Sequence, residues 1–502
     1  MTSNFCYDTI HLLRIRQARI LGRGEACLRS FETDVQKIKY KVLRAVAEHA
    51  LNEKMEDVYY SVPLEVIPGR KPTMRCCIYK ERAIVGERVH TALGGDRGDS
   101  VIQVIDIACD ECPVDRYTVS NACRGCLAHR CMKACPKGAI SRTKSGKMEI
   151  DPEKCIHCGR CAKACPYEAI TENVRPCERA CKVGAIKMND MQKAEINYDK
   201  CISCGACVFQ CPFGAVVDNS SIVDAIKLLQ QADHRGYYTV AIVAPAIASQ
   251  FKGVKLGQVK QALRNLGFHD VVEAALGADM VAKKESKELA EKGFLTSSCC
   301  PAFVSYIKKH MPEMAEHISH NLSPMAELGK YIKENSAWPV KTVFIGPCTA
   351  KKAEQKLEHV RPWVDCVLTF EEMVALLDAA DCAPEEQSEL PVSDASYFGR
   401  IFARSGGLTE AVIESIKEQE IDFEPKAAVC SGIEQCKVAL LKAKMGKLAE
   451  NFIEGMACEG GCVNGAGAIS HLPTDRRSVD TFAKTSSKEG VNMSVGSYET
   501  KF

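Results

Sequence analysis

Cysteine is the residue type whose number and spacing point to chemistry in this chain. The 502 residues include 29 cysteines, and sixteen of these lie between Cys109 and Cys211. Most of the sixteen fall in repeated short spacings, which are typical of metal sites rather than of a disulfide framework. A reducing cytoplasm also does not keep so many cysteines as structural disulfides. The distribution therefore predicts thiolate-held metal clusters in this stretch.

Two segments of the stretch share one cysteine pattern. Residues 155–166 (CIHCGRCAKACP) and 201–212 (CISCGACVFQCP) both follow C-x2-C-x2-C-x3-C-P, the run found in bacterial 4Fe–4S ferredoxins. Residues 123–136 repeat this run with two extra residues, and CERAC at 177–181 matches the second half of a fourth copy. A shift of 46 residues superposes the last six cysteines of the first two runs on the later ones. We interpret residues 101–216 as two tandem ferredoxin-like units.

The run also predicts which cysteines share a cluster, because a 4Fe–4S cube needs four thiolates and the fourth cysteine of each run binds the other cluster. The second unit has Ala169 and Glu172 where two cysteines would stand, and CDEC upstream offers Cys109 and Cys112 instead. The alternative is that these two are ordinary thiols and only three accessory clusters form. The predicted groups are set one, Cys123, Cys126, Cys131 and Cys165; set two, Cys155, Cys158, Cys161 and Cys135; set three, Cys201, Cys204, Cys207 and Cys181; and set four, Cys109, Cys112, Cys177 and Cys211.

The predicted secondary structure changes after the cysteine-rich stretch. Residues 217–236 predict a linking helix, and beyond them predicted strands such as YYTVAIVAPAI and VKTVFIGPC alternate with helices. The leucine and valine stripe at 256, 259, 263 and 266 predicts a helix that ends at Gly267, and Pro301 suits the first turn of another helix. Residues 237–484 are therefore predicted to form an α/β domain, whose sites are expected at the ends of its strands.

Three turns in this domain carry residues that can do chemistry. They are TSSCCPAF, IGPCTAKKAE and EGMACEGGCVNGAG, and they place Cys300, Cys348, Cys458 and Cys462 on separate segments. A buried cluster held by tertiary structure requires such an arrangement. The glycines of the last turn allow backbone to come close to an inorganic core, and Lys351 could donate to an anionic ligand there.

These three motifs, in this order, resemble the three signatures of the iron-only (FeFe) hydrogenase catalytic domain over roughly residues 237–484. The resemblance implies the α/β fold of that domain, preceded by α+β ferredoxin-like 4Fe–4S modules, and reversible H2 oxidation and proton reduction. It implies that Cys300, Cys348, Cys458 and Cys462 hold a 4Fe–4S cube, bridged through Cys462 to a di-iron subcluster with CO, CN and a dithiolate. Together these form the H-cluster. Lys351 would hydrogen-bond a cyanide.

The resemblance also separates the two neighbouring thiols of the first turn. Cys300 would be the ligand, whereas Cys299 would pass protons to and from the amine of the dithiolate. Glu285, Glu288 and Ser319 stand where the proton-carrying groups of the family are expected. Three of these residues also have an alternative, non-catalytic interpretation. Glu285 and Glu288 could form a charged helix face that contacts only water, and Cys299 could be a small buried hydrophobic residue.

Several positions depart from the commonest form of these signatures, although Met456 is retained as part of the cofactor pocket. Gly346 stands where Met is usual, Phe303 where Trp is usual, Ala246 where Ser is usual and Met325 where Gln is usual. The departures resemble the branch of the family sometimes called group B. They are expected to change catalytic rate and bias rather than the identity of the cofactor.

Net charge and hydropathy limit the classes of binding partner that the sequence predicts. A net charge of +2 and a pI near 7.6 give no reason to expect nucleic acid or an anionic membrane. No apolar run reaches the length of a transmembrane helix and no signal peptide is evident, so we expect a cytoplasmic protein without a membrane partner. No nicotinamide or flavin fingerprint is apparent. The expected partners are therefore a soluble ferredoxin or similar one-electron carrier, H2 and protons, and hydrogenase maturation factors.

Two other functions stay open. One is a hydrogen-sensing regulatory protein with the same cofactor, and the other is a Nar-like iron–sulfur assembly or electron-transfer protein that lacks the di-iron centre. The presence of Cys299, Glu285, Glu288 and Ser319 favours the hydrogenase. Residues 1–100 are expected to be partly helical and carry no function that we recognise. Residues 485–502 are expected to form a polar, disordered tail.

Overall fold

We describe the protein from a computed structural model. The structure describes residues 31–499, except Arg97, Asp99 and Lys252. The first thirty residues of the predicted N-terminal region, and residues 500–502 of the predicted tail, therefore lie outside the described residues. Within the described part of the chain, no helix is both long enough and apolar enough to cross a membrane.

Three helices form the described N-terminal region, in agreement with the predicted helical character. They are α1 (Asp34–Leu51), α2 (Val58–Val66) and α3 (Ile78–Ala92). The Oγ1 of Thr33 caps α1 by accepting a hydrogen bond from the amide of Gln36 at 3.2 Å. The buried side chains of α1, including Val42 and Val46, join the same apolar core as strands of the C-terminal domain. This region is therefore packed onto the rest of the protein and does not form a core of its own.

The ferredoxin-like region consists of short strands and one-turn helices. In chain order, its elements are β1 (Ile102–Val104), β2 (Tyr117–Val119), α4 (Arg130–Ala134), β3 (Ile140–Arg142), β4 (Met148–Ile150), α5 (Arg160–Ala164), β5 (Ile170–Glu172), α6 (Pro176–Ala180), β6 (Ile186–Met188), β7 (Ala194–Ile196), α7 (Ala206–Gln210) and β8 (Val216–Asp218).

The pairing of these strands shows that the two units are nested rather than strictly consecutive. One unit pairs β2 with β5 and closes β3 against β4, whereas the other pairs β1 with β8 and closes β6 against β7. The first strand of the second unit therefore precedes the whole first unit in the chain. The prediction of tandem units is corrected in this respect. The segment from β1 through Cys112 belongs structurally to the unit that ends at β8.

A long helix, α8 (Ile222–Arg235), connects this region to the C-terminal domain, in agreement with the predicted linker. It ends at Gly236, which adopts a left-handed conformation with φ of 65°. Strand β8, which precedes this helix, extends to Asp218.

The C-terminal domain is an α/β structure with two parallel sheets. Its strands are β9 (Tyr238–Val243), β10 (Asp270–Glu273), β11 (Leu295–Thr296), β12 (Val340–Gly346), β13 (Cys366–Thr369), β14 (Ala427–Ser431) and β15 (Phe452–Met456). The larger sheet has the order β10-β9-β12-β13, and the smaller has the order β11-β15-β14. Most of their side chains are buried because helices cover the sheets, as all-parallel sheets require.

The helices of this domain are α9 (Leu256–Leu266), α10 (Ala274–Lys292), α11 (Pro301–His310), α12 (Pro324–Asn335), α13 (Ala350–Gln355), α14 (Phe370–Ala379), α15 (Tyr397–Arg400), α16 (Gly407–Glu418), α17 (Ile433–Lys444), α18 (Asp475–Ala483) and α19 (Val491–Glu499). The predicted stripe lies on α9, which ends at Gly267 as expected, and Pro301 opens α11. Both predictions are confirmed.

The predicted disordered tail is wrong for its described part. Residues Val491–Glu499 form α19, and Val491 and Val495 are buried. The hydroxyl of Ser494 donates a hydrogen bond to the buried carboxylate of Asp279 on α10. The segment is polar in composition, but two valines spaced four residues apart give its helix an apolar stripe to bury.

Candidate active site and cluster sites

The three predicted turns meet in one cavity of about 90 Å³ at the carboxyl ends of the parallel strands. Cys300 follows β11, Cys348 follows β12, and Cys458 and Cys462 follow β15. All four line the cavity. The rest of the wall is mostly apolar, and includes Ala246, Met325, Phe344, Phe402 and Met456. Parallel strands end at the same edge of their sheet, which explains why segments more than 150 residues apart in sequence converge here.

Local backbone features hold these turns close together. Gly461 has φ of 103°, and a β-carbon there would lie 2.6 Å from the amide nitrogen of Ser405. A β-carbon on Gly465 would lie 2.4 Å from the carbonyl oxygen of Pro347. Both glycines thus allow the turn after β15 to lie directly against neighbouring backbone. Cys300 takes the N-cap position of α11, where Pro301 provides the first helical residue.

The chemistry of the cavity suits a thiolate-ligated cluster. Burial raises the pKa of the Cys348 thiol to about 11 and holds those of Cys458 and Cys462 above their ordinary range. Neighbouring thiols act in the same direction, because several thiolates cannot share an apolar cavity without a cation. Metal binding would displace these protons, and soft thiolates select iron–sulfur clusters. The residues present therefore fit a 4Fe–4S cube.

No group of three or more cysteine, histidine or carboxylate ligands within the described residues is spaced to hold a single metal ion.

Cys299 also lines the cavity, beside the four predicted ligands. Burial, the nearby Glu285 carboxyl and the Cys300 thiol raise the pKa of Cys299 well above its ordinary value. The carbonyl oxygen of Cys299 accepts a hydrogen bond from the Nζ of Lys351 at 3.4 Å. The structure thus places both members of the double cysteine at the cavity, while only Cys300 lies at the helix N-cap.

Glu285 lies in the middle of α10 and is completely buried. Among the described residues, neither carboxylate oxygen has a partner with full hydrogen-bond geometry, but the Ser319 hydroxyl and the Ser298 amide lie close enough to act on the pKa of this carboxyl. Burial raises the pKa of Glu285 to about 8, and the charge of Glu288 acts in the same direction. A carboxyl group of this kind holds its proton at neutral pH. The expectation that charged helix faces simply meet water does not apply to this residue.

Glu288 and Ser319 form a hydrogen-bonded pair one helical turn closer to the surface. The hydroxyl of Ser319 donates to the Oε2 of Glu288 at 2.8 Å, and the Nζ of Lys292 donates to its Oε1 at 2.6 Å. Burial alone would raise the pKa of Glu288, but Lys292, the His320 amide and Ser319 hold it below its ordinary value. The Glu288 side chain is 13% exposed, so this pair connects the interior with solvent.

Lys351 is buried at the wall of the cavity, at the start of α13. Burial alone would lower its pKa, yet the Glu354 carboxylate, whose Oε2 lies 2.7 Å from Nζ, raises it above the ordinary value together with Cys348 and Cys299. The side chain is therefore a fixed cation at the cavity. Glu354 was not identified as a functional residue from the sequence. It lies three residues after Lys351 on the same helix, and the only signal for it was this spacing within AKKAE (350–354).

The structure also accounts for two of the departures from the common signatures. A β-carbon on Gly346 would lie 2.6 Å from the ring of Phe344, which itself lines the cavity. Phe344 thus occupies the space that a side chain at 346 would need. The ring of Phe303 is fully buried, and a β-carbon on Gly455 would lie 2.3 Å from it.

The structure groups the cysteines of the first ferredoxin-like unit into two sites. One small cavity is lined by the four thiols of set one together with Val119, Met148 and Ile170. A second is lined by the four thiols of set two together with Tyr117, Ile140 and Ile150. Both surroundings are apolar, as a cluster site requires. Cys158 of set two is exposed to solvent, so this site lies at the protein surface.

The cysteines of the second unit lie closer to the C-terminal domain. Cys207 lies beside Cys204, Cys201 and Cys181, the other members of set three. Cys204 also lines the cavity that contains Cys300 and Cys348. Gly205, with φ of 76°, lies against Thr349, whose Oγ1 donates to the carbonyl of Ser203 at 2.8 Å. Set three is therefore the accessory set adjacent to the candidate active site.

Set four is also brought together. Burial and the neighbouring thiols of Cys211, Cys109 and Cys112 raise the pKa of Cys177 to about 12. Nesting of the two units explains this grouping, because β1 and the segment after it belong to the second unit. Backbone amides donate to several of these sulfurs: Ala215 to Cys211 at 3.2 Å and Ala194 to Cys109 at 3.3 Å. The first of these bonds recurs in the other runs, where the amide four residues on donates to Cys135 and Cys181.

Sequence reasoning missed several buried charged groups near these sites. Glu454, on β15, accepts hydrogen bonds from the amides of Gly406 and Thr409 at the N-terminus of α16. Arg88 and Arg175 flank set four. No spacing rule marks these residues, because each is brought to its site by a tertiary contact rather than by a motif.

Comparisons with known proteins find matches to two parts of the chain. Residues 237–466 match the family model that describes the C-terminal domain of the iron only hydrogenase large subunit. Residues 122–169 and 147–212 match two models described as 4Fe-4S dicluster domains. Iron hydrogenase 1 of Clostridium pasteurianum is 30% identical over 273 residues, which cover 45% of this chain and 47% of that protein.

Other similar proteins differ in their described roles. A probable cytosolic Fe-S cluster assembly factor of Brugia malayi is 26% identical over 280 residues, which cover 46% of this chain and 62% of that protein. Among solved structures, an FeFe-hydrogenase of Chlamydomonas reinhardtii is 18% identical with a TM-score of 0.47, and the match covers 56% of this chain and 94% of that one. The chain spans about half to three fifths of the length of these curated relatives. The chain therefore contains the C-terminal domain of the iron-only hydrogenase large-subunit family, preceded by 4Fe–4S ferredoxin-like domains.

Proposed function

We propose that this protein is a hydrogenase that interconverts H2 with protons and electrons. The observation that carries the proposal is a pair of proton-holding groups: the Cys299 thiol, which lines the four-cysteine cavity, and the buried Glu285 carboxyl, which lies close to that thiol. An iron–sulfur cluster needs neither group as a ligand. A reaction that consumes or releases protons at the cavity needs both.

Each part of the H-cluster has proposed protein ligands. Cys300, Cys348, Cys458 and Cys462 would hold the 4Fe–4S cube, and Cys462 would also bridge to the di-iron subcluster. When bound, the di-iron subcluster with its CO, CN and dithiolate ligands supplies the site at which H2 is split or formed. The Lys351 ammonium would donate a hydrogen bond to a cyanide, and Met456 would pack against the subcluster. The departures at Gly346, Phe303, Ala246 and Met325 support the group B branch.

The chain's own residues would move the proton in a defined order. Cys299 would exchange it at the cavity, and Glu285 would exchange it with Cys299 in the interior. Ser319 would pass it on to Glu288, whose side chain reaches solvent. The two glutamates are poised differently, since burial keeps Glu285 protonated while Lys292 and Ser319 keep Glu288 ionised. Because the pKa of Glu285 lies above that of Glu288, a proton that enters at Glu288 moves favourably inward to an ionised Glu285, whereas the outward transfer is uphill.

Electrons would travel along the accessory clusters one at a time. Set three adjoins the cavity through Cys204, and set four adjoins set three, since Cys177 lies near Cys207. Sets one and two would complete the path to the surface, where Cys158 is exposed. We propose a soluble ferredoxin-type carrier as the external partner. Maturation factors would install the di-iron subcluster, in a cytoplasmic location suited to so many thiols.

The main alternative is an iron–sulfur assembly or electron-transfer role, because an assembly factor is among the similar proteins. Infrared spectroscopy of protein matured with the assembly factors of FeFe hydrogenases distinguishes the two. The hydrogenase proposal predicts CO and CN stretching bands together with H2-dependent reduction of a dye. Fully matured protein with a complete iron content but no such bands would refute the proposal. A sensor would show the bands with very low turnover.

A further inference from the structure

Two buried arginines flank the thiols of set four. Arg88, on α3, is 5% exposed, and Arg175, just before α6, is 4% exposed. The Nη1 of Arg175 donates to the Sγ of Cys109 at 3.7 Å, and its Nη2 donates to the carbonyl of Gln192 at 2.7 Å. The Nη2 of Arg88 donates to the carbonyl of Gly214 at 2.8 Å, three residues after Cys211. Both positive charges therefore lie beside this set.

Neither guanidinium has a carboxylate partner within the described part of the chain. The Nε atoms of Arg88 and Arg175 are buried and have no hydrogen-bond partner among the described residues. Burial lowers the pKa of Arg88 to about 10, so its side chain still carries a full positive charge at neutral pH. Burying an unpaired charge is costly, and arginine does not escape the cost by losing its proton. Natural proteins tolerate such charges where an anion compensates them.

The other accessory sets lack this feature among the described residues. The basic residues of the first unit, such as Arg124 and Lys137, are exposed to solvent. Beside set three, the exposed Lys309 donates to the carbonyls of Tyr198 and Cys201 rather than to sulfur. A solvent-screened charge acts weakly on a buried site, whereas a desolvated charge acts strongly. Set four is thus electrostatically distinct.

We propose that Arg88 and Arg175 are the fixed counter-charges of a 4Fe–4S cluster on set four, and that they give this cluster the highest reduction potential of the accessory clusters. The inference rests on the proposed fourth cluster. Reduction adds one electron, supplied by a neighbouring cluster or an external reductant, and it breaks no bond and requires no proton. Because the cluster becomes more negative, two nearby positive charges stabilise the reduced form. Set four would then hold an electron between the surface unit and set three.

The test is a redox titration of the full-length, cluster-loaded protein, followed by electron paramagnetic resonance with dithionite as reductant. The variants are Arg88→Met and Arg175→Met, which keep an apolar stem but remove the charge, and Arg175→Lys, which keeps the charge. Arg264→Met is the matched control, because Arg264 is an exposed residue on α9 that pairs with Asp270. It removes one positive charge far from the clusters.

As the potential is lowered, the set four cluster of the unmodified protein should be reduced first and give the first signal. The double replacement Cys109→Ala with Cys112→Ala should abolish that signal. Each Met variant should lower the ratio of reduced to oxidised set four by about tenfold at a fixed potential, equivalent to about 59 mV. Arg175→Lys should retain most of the original ratio, and Arg264→Met should leave it unchanged. Set one to set three signals should stay in place in all variants.

Each other outcome is also decisive. An unchanged set four potential in both Met variants, with iron content intact, would overturn the inference. Loss of about four irons in Arg175→Met but not in Arg175→Lys would support a required counter-charge, whereas the same loss in both would show a purely structural role. The cysteine variants separate this result from the proposed function: an iron count that they do not change would refute the fourth cluster itself.

Discussion

The ferredoxin-like region and the catalytic domain bind their proposed clusters in different ways. In sets one to three of the ferredoxin-like region, three of the four ligands lie within about ten residues of each other, next to or within a one-turn helix. In the catalytic domain, the four cysteines of the cavity span residues 300 to 462 and meet only where parallel strands end together. The first arrangement depends on local spacing. The second depends on the correct pairing of two sheets.

The difference extends to the groups around the thiols. The first ferredoxin-like unit, residues 115–172, has eleven basic and six acidic residues, a net charge of +5, whereas the whole chain has +2. Most of its charged side chains face solvent. Among the described residues, the wall of the candidate active-site cavity instead has one charged side chain, the buried Lys351, and the buried Glu285 lies close to the Cys299 thiol. An exposed charge mainly steers partners, whereas a buried charge sets the protonation and redox state of its neighbours.

The largest effect is expected where the cavity has a thiol that is not a ligand. Cys299→Ala should lower turnover on the order of 10²–10⁴-fold, because alanine cannot carry a proton. The CO and CN bands should remain, since all four ligands are intact. Turnover and infrared spectra of the same matured sample check this result.

Two further variants serve as comparisons for Cys299→Ala. Cys366→Ala removes another buried thiol, at the start of β13, and should leave turnover near normal. Cys300→Ala removes a proposed ligand and should lower both the active-site iron content and the activity. Normal turnover of Cys299→Ala with an intact cofactor would show that this thiol is only a small packing residue.

The next largest effect tests the nested unit of the ferredoxin-like region. Replacing Cys109 and Cys112 together by alanine should remove roughly four iron atoms per chain, because a cube without two of its thiolates is not retained. The adjacent Cys76 and Cys77 provide a matched double replacement in the same N-terminal part of the chain. That control should leave the iron content unchanged. Equal iron content in all three proteins would leave only three accessory clusters.

A smaller effect concerns stability and pH. The pKa of Glu285 is raised from 4.5 to about 8 by burial. An acid with a raised folded-state pKa favours the fold most below its ordinary pKa, and this contribution is lost as the pH rises through the folded-state value. Glu285→Gln cannot ionise, so its melting temperature should fall less than that of the unmodified protein between about pH 5 and about pH 9.

Glu288 provides the opposite case on the same helix. Its pKa is held below the ordinary value by Lys292, the His320 amide and Ser319, against the effect of burial. Its contribution to stability is therefore present above the ordinary pKa and lost in acid. Glu288→Gln should destabilise the protein at neutral pH and have less effect at low pH. Parallel pH profiles for the two variants would contradict the assignment of an uncharged Glu285 and an ionised Glu288.

The smallest effect is expected at the surface of the first unit. Reversing two exposed charges, Lys137→Glu with Lys144→Glu, should lower kcat/KM for an acidic ferredoxin by a few-fold at low salt, with the difference shrinking at high salt. Lys437→Glu, on the exposed face of α17, is the control and should have no such effect. Equal effects at both places would mean that the carrier does not dock on this unit.

Much of the fold was accessible from the sequence because its signals are local. The alternation of strands and helices, the helix ending at Gly267 and the helix beginning at Pro301 were all predicted correctly. The tail was not, because Val491 and Val495 are too few to mark a helix until Asp279 and α10 provide a surface to bury them. Composition alone does not show what a weakly apolar helix packs against.

The cysteine spacing by itself determined that the chain binds several 4Fe–4S clusters, since four thiolates at fixed short intervals suit little else. Only the tertiary structure decided that the two units are nested, because the pairing of β1 with β8 joins segments more than 100 residues apart. The same holds for the counter-charges Arg88 and Arg175 and for the buried state of Glu285. The identity of a charged residue in the sequence does not show whether its side chain is exposed or buried. Its pKa and electrostatic reach depend on burial, which the whole fold determines.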